Sequence, residues 1–201
     1  GLTAATGMDA FVQAIEPFVS VDHNPITDSQ CIQAIKLIET SLREAVANWH
    51  NLEARTHMVE AEMLAGMAFN NANLGYVHAM AHQLGGQYDA PHGVCCALLL
   101  PYVEEYNLIA CPERFAELAK IMGENTDGLS TRDAAELAIK AMKQLSEDVG
   151  IPHSIKEIGA KIEDFEHMAT NALKDGNAFS NPRKGTKEDI IKIFQAAYDA
   201  K

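Results

Sequence analysis

Apolar residues recur at intervals of three and four along nearly the whole chain, which is the period of an α-helix. The clearest run is Ile32, Ile35, Ile38, Leu42 and Val46. No segment has the alternating pattern of a half-buried strand, and no internal repeat is evident. The pattern predicts an all-α fold of roughly eight to ten helices. A single domain over residues 1–201 is expected, because that length allows one sizeable core.

Proline and glycine set the expected helix ends. Pro17 should end the first helix, and Pro101 should interrupt an apolar helix, because proline cannot continue a helix interior. The Gly85–Gly86 pair should stop a short helix that begins near residue 76. In the helix predicted over residues 52–71, the expected apolar side consists of Met63, Leu64, Met67 and Ala68.

The charge balance narrows the choice of partners. The chain has 28 acidic and 16 basic residues and a formal net charge of −12. An acidic surface repels nucleic acid and anionic membranes, so neither is an expected partner. The apolar runs, such as residues 94–101, are shorter than a membrane span, and no signal peptide is recognisable. A cytoplasmic protein is therefore expected.

The cysteines and the first residues support two further expectations. The four cysteines form no CxxC motif, and Cys95 and Cys96 are adjacent, which makes them poor disulfide partners. Free thiols in a reducing cytosol are expected. The chain begins at Gly1 without methionine and enters a helical pattern at once, so it is interpreted as a piece of a longer protein.

The stretch HAMAHQLGGQYDAPHG, residues 78–93, holds three histidines. His78 and His82 share one helix face because they are four residues apart. His92 follows a glycine turn and could fold back beside them. Imidazole is the commonest side-chain metal ligand. The alternative, that each histidine is only a polar residue on a half-buried face, remains open at this stage.

A carboxylate ligand would have to come from elsewhere in the chain. Asp9 is the candidate, because it interrupts an apolar helical segment in which aspartate is unfavourable without a partner. Gln13 is four residues further on and shares its face. The sequence leaves open the alternative that Asp9 is merely exposed.

Several stretches together resemble the C-terminal, metal-binding domain of the iron-containing (group III) alcohol dehydrogenases. They are LTAATGMDA (2–10), LAGMAFNNANLGYVHAMAHQLGG (64–86), PHGVC (91–95) and ALKDGNAFSNPR (172–183). The resemblance extends to the bacterial ethanol, 1,3-propanediol and methanol dehydrogenases of that family. It implies the multi-helix half of a dehydroquinate-synthase-like fold.

The resemblance also implies an activity. The family's enzymes use NAD(P) to interconvert a small primary alcohol or diol and its aldehyde. A Rossmann-like N-terminal domain, absent from this chain, binds most of the NAD(P) and would be its partner. The isolated chain is therefore expected to be inactive, and the whole enzyme is expected to be a homo-oligomer.

Carried over by motif, Asp9, His78 and His92 are implied metal ligands, and His82 is implied as a catalytic proton-relay residue. Fe²⁺ is the expected ion and Zn²⁺ the alternative. Most metal-dependent members have DALTH where this chain has DAFVQ, so Gln13 replaces a histidine ligand. Gln13 is retained as a weak fourth ligand, because a carboxamide oxygen is harder than imidazole nitrogen.

A second departure is Cys96, where relatives commonly have asparagine. It falls on the helix after His92 and could lie near the site, but the favoured interpretation is a small buried apolar residue. Two other classes of function remain as alternatives. One is a metal-free relative, in which Gln13 marks the loss of the ion. The other is a non-catalytic helical module, in which the histidine cluster is incidental.

Overall fold

The computed structural model describes residues 1–200, which form nine α-helices, four short 3-10 helices and no strand. The all-α prediction is confirmed, and the helix number lies in the expected range. The α-helices are α1 (Leu2–Val19), α2 (Pro25–Ala47), α3 (Leu52–Ala72), α4 (Tyr76–Tyr88), α5 (His92–Asn107), α6 (Pro112–Ile121), α7 (Thr131–Asp148), α8 (Phe165–Ala172) and α9 (Lys187–Tyr198). The 3-10 helices are Leu108–Ala110, Ile155–Ile158, Ile162–Asp164 and Gly176–Ser180.

The core is built around α1 and α5. Helix α1 packs against α2, α3 and α5, while α5 also contacts α4, α7 and α9. Large side chains of α1, including Phe11, Ile15 and Phe18, are almost fully buried. One continuous cluster of buried apolar residues extends from α1 to α9, so the chain has a core of its own.

Local capping signals explain where several helices begin. The Asn24 side chain accepts hydrogen bonds from the backbone of Ile26 and Thr27, and Pro25 occupies the first turn of α2. The Ser130 hydroxyl accepts a hydrogen bond from the Asp133 amide at the start of α7. These caps stabilise helix ends whose first N–H groups have no partner within the helix.

Three expected helix ends were wrong. Helix α1 continues past Pro17 to Val19, α5 passes through Pro101, and α4 passes through the Gly85–Gly86 pair to Tyr88. Both prolines are buried in the core, and packing of these helices outweighs the hydrogen bond that each proline removes. Helix α4 ends only where Asp89 adopts a left-handed conformation with φ of 51°.

The expected apolar side of α3 was also wrong in part. The buried positions are Ala54, Ala61, Ala65, Ala68 and Ala72. Met63 and Met67, which were expected inside, are 60% and 48% exposed. Small alanines allow α3 to approach its neighbours closely, so the larger side chains face outward.

The segment His92–Ala110 is long and apolar enough to cross a membrane by length and composition, contrary to the short apolar runs noted above. However, 61% of this window is buried within the domain. It packs as a core helix against α1 and α4. All four cysteines are free thiols.

Candidate metal centre

Helix α1 directs three polar side chains toward one side. Asp9, Gln13 and Glu16 are separated by four and then three residues, so they share a helix face. Glu16 is only 2% exposed. Because a buried carboxylate requires partners, this face marks the side of α1 on which a polar site is built.

Helix α4 begins against Glu16. One Glu16 oxygen, Oε1, accepts a hydrogen bond of 2.7 Å from the Val77 amide, and the other, Oε2, accepts one of 2.5 Å from Nδ1 of His78. Gly75 makes this approach possible, since a Cβ atom there would lie 2.8 Å from Glu16 Oε1. Glu16 thereby fixes the His78 ring and turns its Nε2 atom toward Asp9.

Helix α5 begins at His92 and crosses α1 at very close range. A Cβ atom on Gly93 would lie 2.1 Å from the carbonyl oxygen of Ala5 and 3.3 Å from Asp9 Cβ. Only glycine permits this approach of the two backbones. The first turns of α5 therefore place His92 and Cys96, four residues apart, beside Asp9.

Four side chains converge where these helices meet. One ligand atom from each of Asp9, His78, His92 and Cys96 lies within 4.8 Å of all the others. Asp9 Oδ1 lies 3.6 Å from His78 Nε2 and 3.4 Å from His92 Nε2. Cys96 Sγ lies 3.5 Å from His92 Nε2.

Two of these atoms lack hydrogen-bond partners, as is expected of atoms that bind a divalent cation. Asp9 Oδ1 and His78 Nε2 are buried, and neither has a hydrogen-bond partner among the described residues. Buried polar groups without partners are costly and unusual in folded proteins. A carboxylate and imidazole nitrogens are donors that Fe²⁺ and Zn²⁺ accept.

Gln13 lies at the edge of this cluster. Its amide nitrogen donates a hydrogen bond of 3.3 Å to Asp9 Oδ2. Its Oε1 atom is buried and has no partner among the described residues. Gln13 therefore orients Asp9 and leaves a free carboxamide oxygen nearby.

His82 lies on the exposed side of the cluster. Its ring is stacked on that of His92 with centroids 5.5 Å apart. Its Nδ1 atom is 2.7 Å from Asp175 Oδ2, and its side chain is 41% exposed. His82 thus stands between the cluster and solvent, with one ring nitrogen fixed by a carboxylate.

Electrostatics at the cluster are dominated by the carboxylates of α1. Burial raises the pKa of Asp9, but the facing imidazoles of His78 and His92 outweigh burial and hold it well below its usual range. Burial lowers the pKa of His78, but the Glu16 charge and the Asp9 contact raise it well above its usual value. The Asp9 contact also raises the pKa of His92 to about 10. The site strongly favours positive charge.

Comparison with known proteins identifies the family. The family model described as "Fe-containing alcohol dehydrogenase family, C-terminal" matches residues 3–198. The chain belongs to this family. It is 64% identical over 197 residues to the 1,3-propanediol dehydrogenase of Citrobacter freundii, covering 98% of this chain and 51% of that protein.

Two other relatives of this iron-type alcohol dehydrogenase domain extend the comparison. The NAD-dependent methanol dehydrogenase of Bacillus methanolicus is 49% identical over 98% of this chain and 52% of its own length. The structure of an alcohol dehydrogenase from Oenococcus oeni superimposes with a TM-score of 0.97 at 91% identity, covering 98% of this chain and 52% of that one. The chain spans about half the length of the relatives it matches.

The sequence did not point to two residues of this iron-type dehydrogenase domain, and it favoured the wrong surroundings for a third. Glu16 was missed although it is seven residues after Asp9 and so shares its face. Cys96 was considered near the site because it lies on the helix after His92, but apolar packing was the favoured interpretation. Asp175 had no local signal, because its contact with His82 joins residues 93 positions apart. The roles of Asp9, Gln13, His78, His82 and His92 stay predictions.

Proposed function

We propose that the chain is the metal- and substrate-binding half of an NAD(P)-dependent alcohol dehydrogenase that interconverts a small primary alcohol or diol and its aldehyde. The observation that carries the proposal is that Asp9 Oδ1 and His78 Nε2 are buried, lie 3.6 Å apart and have no hydrogen-bond partner among the described residues, with His92 Nε2 3.4 Å from Asp9 Oδ1. The names of the related propanediol and methanol dehydrogenases support the substrate class.

Asp9, His78 and His92 would hold the divalent cation, with Gln13 as a weaker fourth ligand. Fe²⁺ is the proposed ion and Zn²⁺ the alternative, because both accept carboxylate and imidazole donors. When bound, the ion supplies Lewis-acid polarisation of an alcohol or carbonyl oxygen. Glu16 supports this role by holding Nδ1 of His78, an arrangement that fixes a ligand imidazole and raises its basicity.

His82 would move a proton between the reacting oxygen and solvent. Asp175 occupies its Nδ1 atom, so Nε2 is the nitrogen free to exchange a proton. Its exposure gives the proton a route to water. Imidazole suits this task because its protonation changes near neutral pH.

The nicotinamide cofactor would be held mainly by an N-terminal nucleotide-binding half, since this chain has no glycine-rich phosphate-binding motif. That half is the proposed partner, together with further copies in a homo-oligomer. The exposed edges of His82 and His92 would face it. The four free thiols support a reducing compartment such as the cytoplasm.

Metal analysis tests the proposal. The chain, purified without chelator and loaded with Zn²⁺ or Fe²⁺, should retain about one equivalent after gel filtration, as expected for a single site. Asp9→Asn and His78→Ala should abolish retention, whereas His153→Ala, an exposed histidine after α7, should leave it unchanged. Retention by the Asp9→Asn and His78→Ala variants equal to that of the unmodified chain would contradict the proposal.

A further inference from the structure

Cys96 is the fourth member of the side-chain cluster described above, and its surroundings differ from those of an ordinary buried cysteine. It is fully buried in the second turn of α5, on the same face as His92. Its Sγ atom lies 3.5 Å from His92 Nε2 and within 4.8 Å of the Asp9 and His78 ligand atoms. The sulfur therefore faces the cluster.

Three separations within the cluster match those between the ligand atoms of a tetrahedral ion. Bonds of about 2.0–2.3 Å at tetrahedral angles place ligand atoms roughly 3.3–3.8 Å apart. The Asp9–His78, Asp9–His92 and Cys96–His92 separations are 3.6, 3.4 and 3.5 Å. His78, only 3% exposed, turns an unpartnered Nε2 into the same space. Three of the six separations thus lie near coordination spacing, and the other three are within 4.8 Å.

The neighbouring Cys95 shows that a buried cysteine in the first turns of α5 does not necessarily face the cluster. Cys95 is equally buried, but its Sγ lies 3.9 Å from the carbonyl oxygen of Ala90 and is not part of the cluster. Successive residues on a helix point about 100° apart, so only one of the two thiols can face α1.

We propose that the Cys96 thiolate is a ligand of the ion, giving an Asp9–His78–His92–Cys96 donor set in which sulfur compensates for Gln13. The proposal rests on the metal centre proposed above. Gln13 offers only a neutral carboxamide oxygen, and its N–H group is engaged with Asp9. A thiolate binds Zn²⁺ more strongly than a carboxamide does, because it is softer and charged. With this thiolate, the preferred ion would change from the Fe²⁺ proposed above to its alternative, Zn²⁺.

X-ray absorption of the zinc-loaded chain tests the proposal directly. The unmodified chain and a Cys95→Ser variant should both show one sulfur neighbour at about 2.3 Å from zinc. Cys96→Ser should show only nitrogen and oxygen neighbours. Its Zn²⁺ affinity should fall by tenfold or more, since even the loss of an outer-shell partner of a ligand costs about 10–100-fold.

The possible outcomes separate this proposal from the one on which it depends. Stoichiometric zinc with only nitrogen and oxygen neighbours in the unmodified chain would overturn the Cys96 assignment and leave the metal centre intact. A sulfur neighbour that persists in folded Cys96→Ser would also overturn the assignment. No stoichiometric zinc at all would overturn both proposals. Circular dichroism checks the fold of each variant, and if Cys96→Ser does not fold, the unmodified chain's spectrum still decides.

The cobalt-loaded chain gives an independent readout. Thiolate coordination to Co²⁺ produces a strong sulfur-to-metal charge-transfer band in the near ultraviolet, which nitrogen and oxygen donors lack. We expect this band in the unmodified chain and in Cys95→Ser, and its loss in Cys96→Ser. Its absence from the unmodified, cobalt-bound chain would overturn the assignment.

Discussion

Gln13 is the residue at which this chain departs most clearly from the pattern DALTH. Replacing it with histidine should raise Zn²⁺ or Fe²⁺ affinity by about tenfold or more, roughly 1.4 kcal/mol, because imidazole nitrogen is a better donor than a carboxamide oxygen. Calorimetric titration of both forms measures the difference. Gln144→His on the exposed side of α7 is the control. Equal affinities of the unmodified chain and the Gln13→His variant would contradict the prediction.

Glu16 is not a proposed metal ligand, but its carboxylate holds the ring of His78, which is one. Glu16→Gln keeps the side-chain shape but removes the charge that faces Nδ1. Metal affinity should fall by about 10–100-fold, the usual effect of removing a carboxylate behind a ligand histidine. Titration calorimetry checks this, with Glu39→Gln on α2 as the control. An unchanged affinity would mean that Glu16 serves only to stabilise the start of α4.

Glu104 makes the stability of the chain depend on pH. It is fully buried on α5, one of its oxygens has no partner among the described residues, and burial, aided by the Glu16 charge, raises its pKa to about 8. The folded state therefore binds the proton more tightly than the unfolded state. Stability from this group is complete below the unfolded pKa of about 4.3 and is lost as pH rises to about 8.

Glu104→Gln should remove this dependence. Between pH 5 and pH 8 the unmodified chain should lose on the order of 3 kcal/mol of unfolding free energy relative to the variant. Urea unfolding at both values of pH provides the measurement. Glu60→Gln at an exposed position of α3 should behave like the unmodified chain. Parallel pH profiles for the unmodified chain and the Glu104→Gln variant would show that this carboxyl is ionised in the fold.

At the residue scale, the sequence identified those site residues that lie in contiguous motifs or at helical spacing. Asp9, His78 and His92 were found because their motifs are contiguous, and the structure brings all three together. Cys96 and Asp175 were not assigned to the site. The environment of a cysteine depends on which neighbour its helix face meets, and the contact of Asp175 with His82 spans 93 residues. The spacing of Cys96 from His92 was a local signal, but it could not show that this helix face meets Asp9, and the Asp175 contact had no local signal.

At the element scale, the crossing of α5 over α1 depends on Gly93. Gly93→Ala would place a methyl group 2.1 Å from the Ala5 carbonyl oxygen, so the helices must separate. A stability loss of about 1–3 kcal/mol is expected, as for other overpacked sites. His92 would move away from Asp9, and metal affinity should fall as well. Denaturant unfolding and zinc titration measure the two effects.

Gly86→Ala is the matched control for that substitution. Gly86 lies inside α4, and a Cβ atom there meets nothing within 4 Å. Alanine is the better helix former, so this variant should be unchanged or more stable by up to about 1 kcal/mol. If Gly93→Ala were as well tolerated as Gly86→Ala, the close crossing would not be needed to build the site.

Helix ends show why element boundaries were harder to predict than element type. Leu84 is buried on one side of the Gly85–Gly86 pair, and on the other the Tyr88 hydroxyl donates to Asp164. These contacts hold the last turns of α4 despite two glycines. Arg114 similarly donates to the Phe18 carbonyl in the turn after Pro17. Such long-range contacts override local propensity and are invisible in a single segment.

For the whole molecule, the all-α fold class followed from the helical period, because that period is averaged over the whole chain and tolerates local errors. The site, in contrast, depends on a few particular contacts between helices and not on a property averaged over the chain. It requires α1, α4 and α5 to meet at Asp9, which follows from the close approaches at Gly75 and Gly93. The family resemblance supplied that arrangement where periodicity could not.

The chain alone should not catalyse NAD-dependent alcohol oxidation, because it lacks a phosphate-binding motif and hydride transfer needs the nicotinamide held against the substrate. A chimera that joins it to the remaining half of the Citrobacter freundii 1,3-propanediol dehydrogenase, 64% identical over the shared half, should be active. NADH formation with 1,3-propanediol or ethanol measures turnover. Substantial turnover by the isolated chain would place the cofactor site within residues 1–201.

In that chimera, His82→Ala should lower turnover by roughly 10²-fold, the scale of a general acid–base contribution, while leaving bound metal unchanged. Asp175→Asn should have a smaller effect in the same direction, because it weakens the hydrogen bond that fixes His82 Nδ1. His153→Ala, at an exposed position, should be neutral. Full activity of His82→Ala with metal retained would mean that the proton reaches solvent by a route that does not use His82.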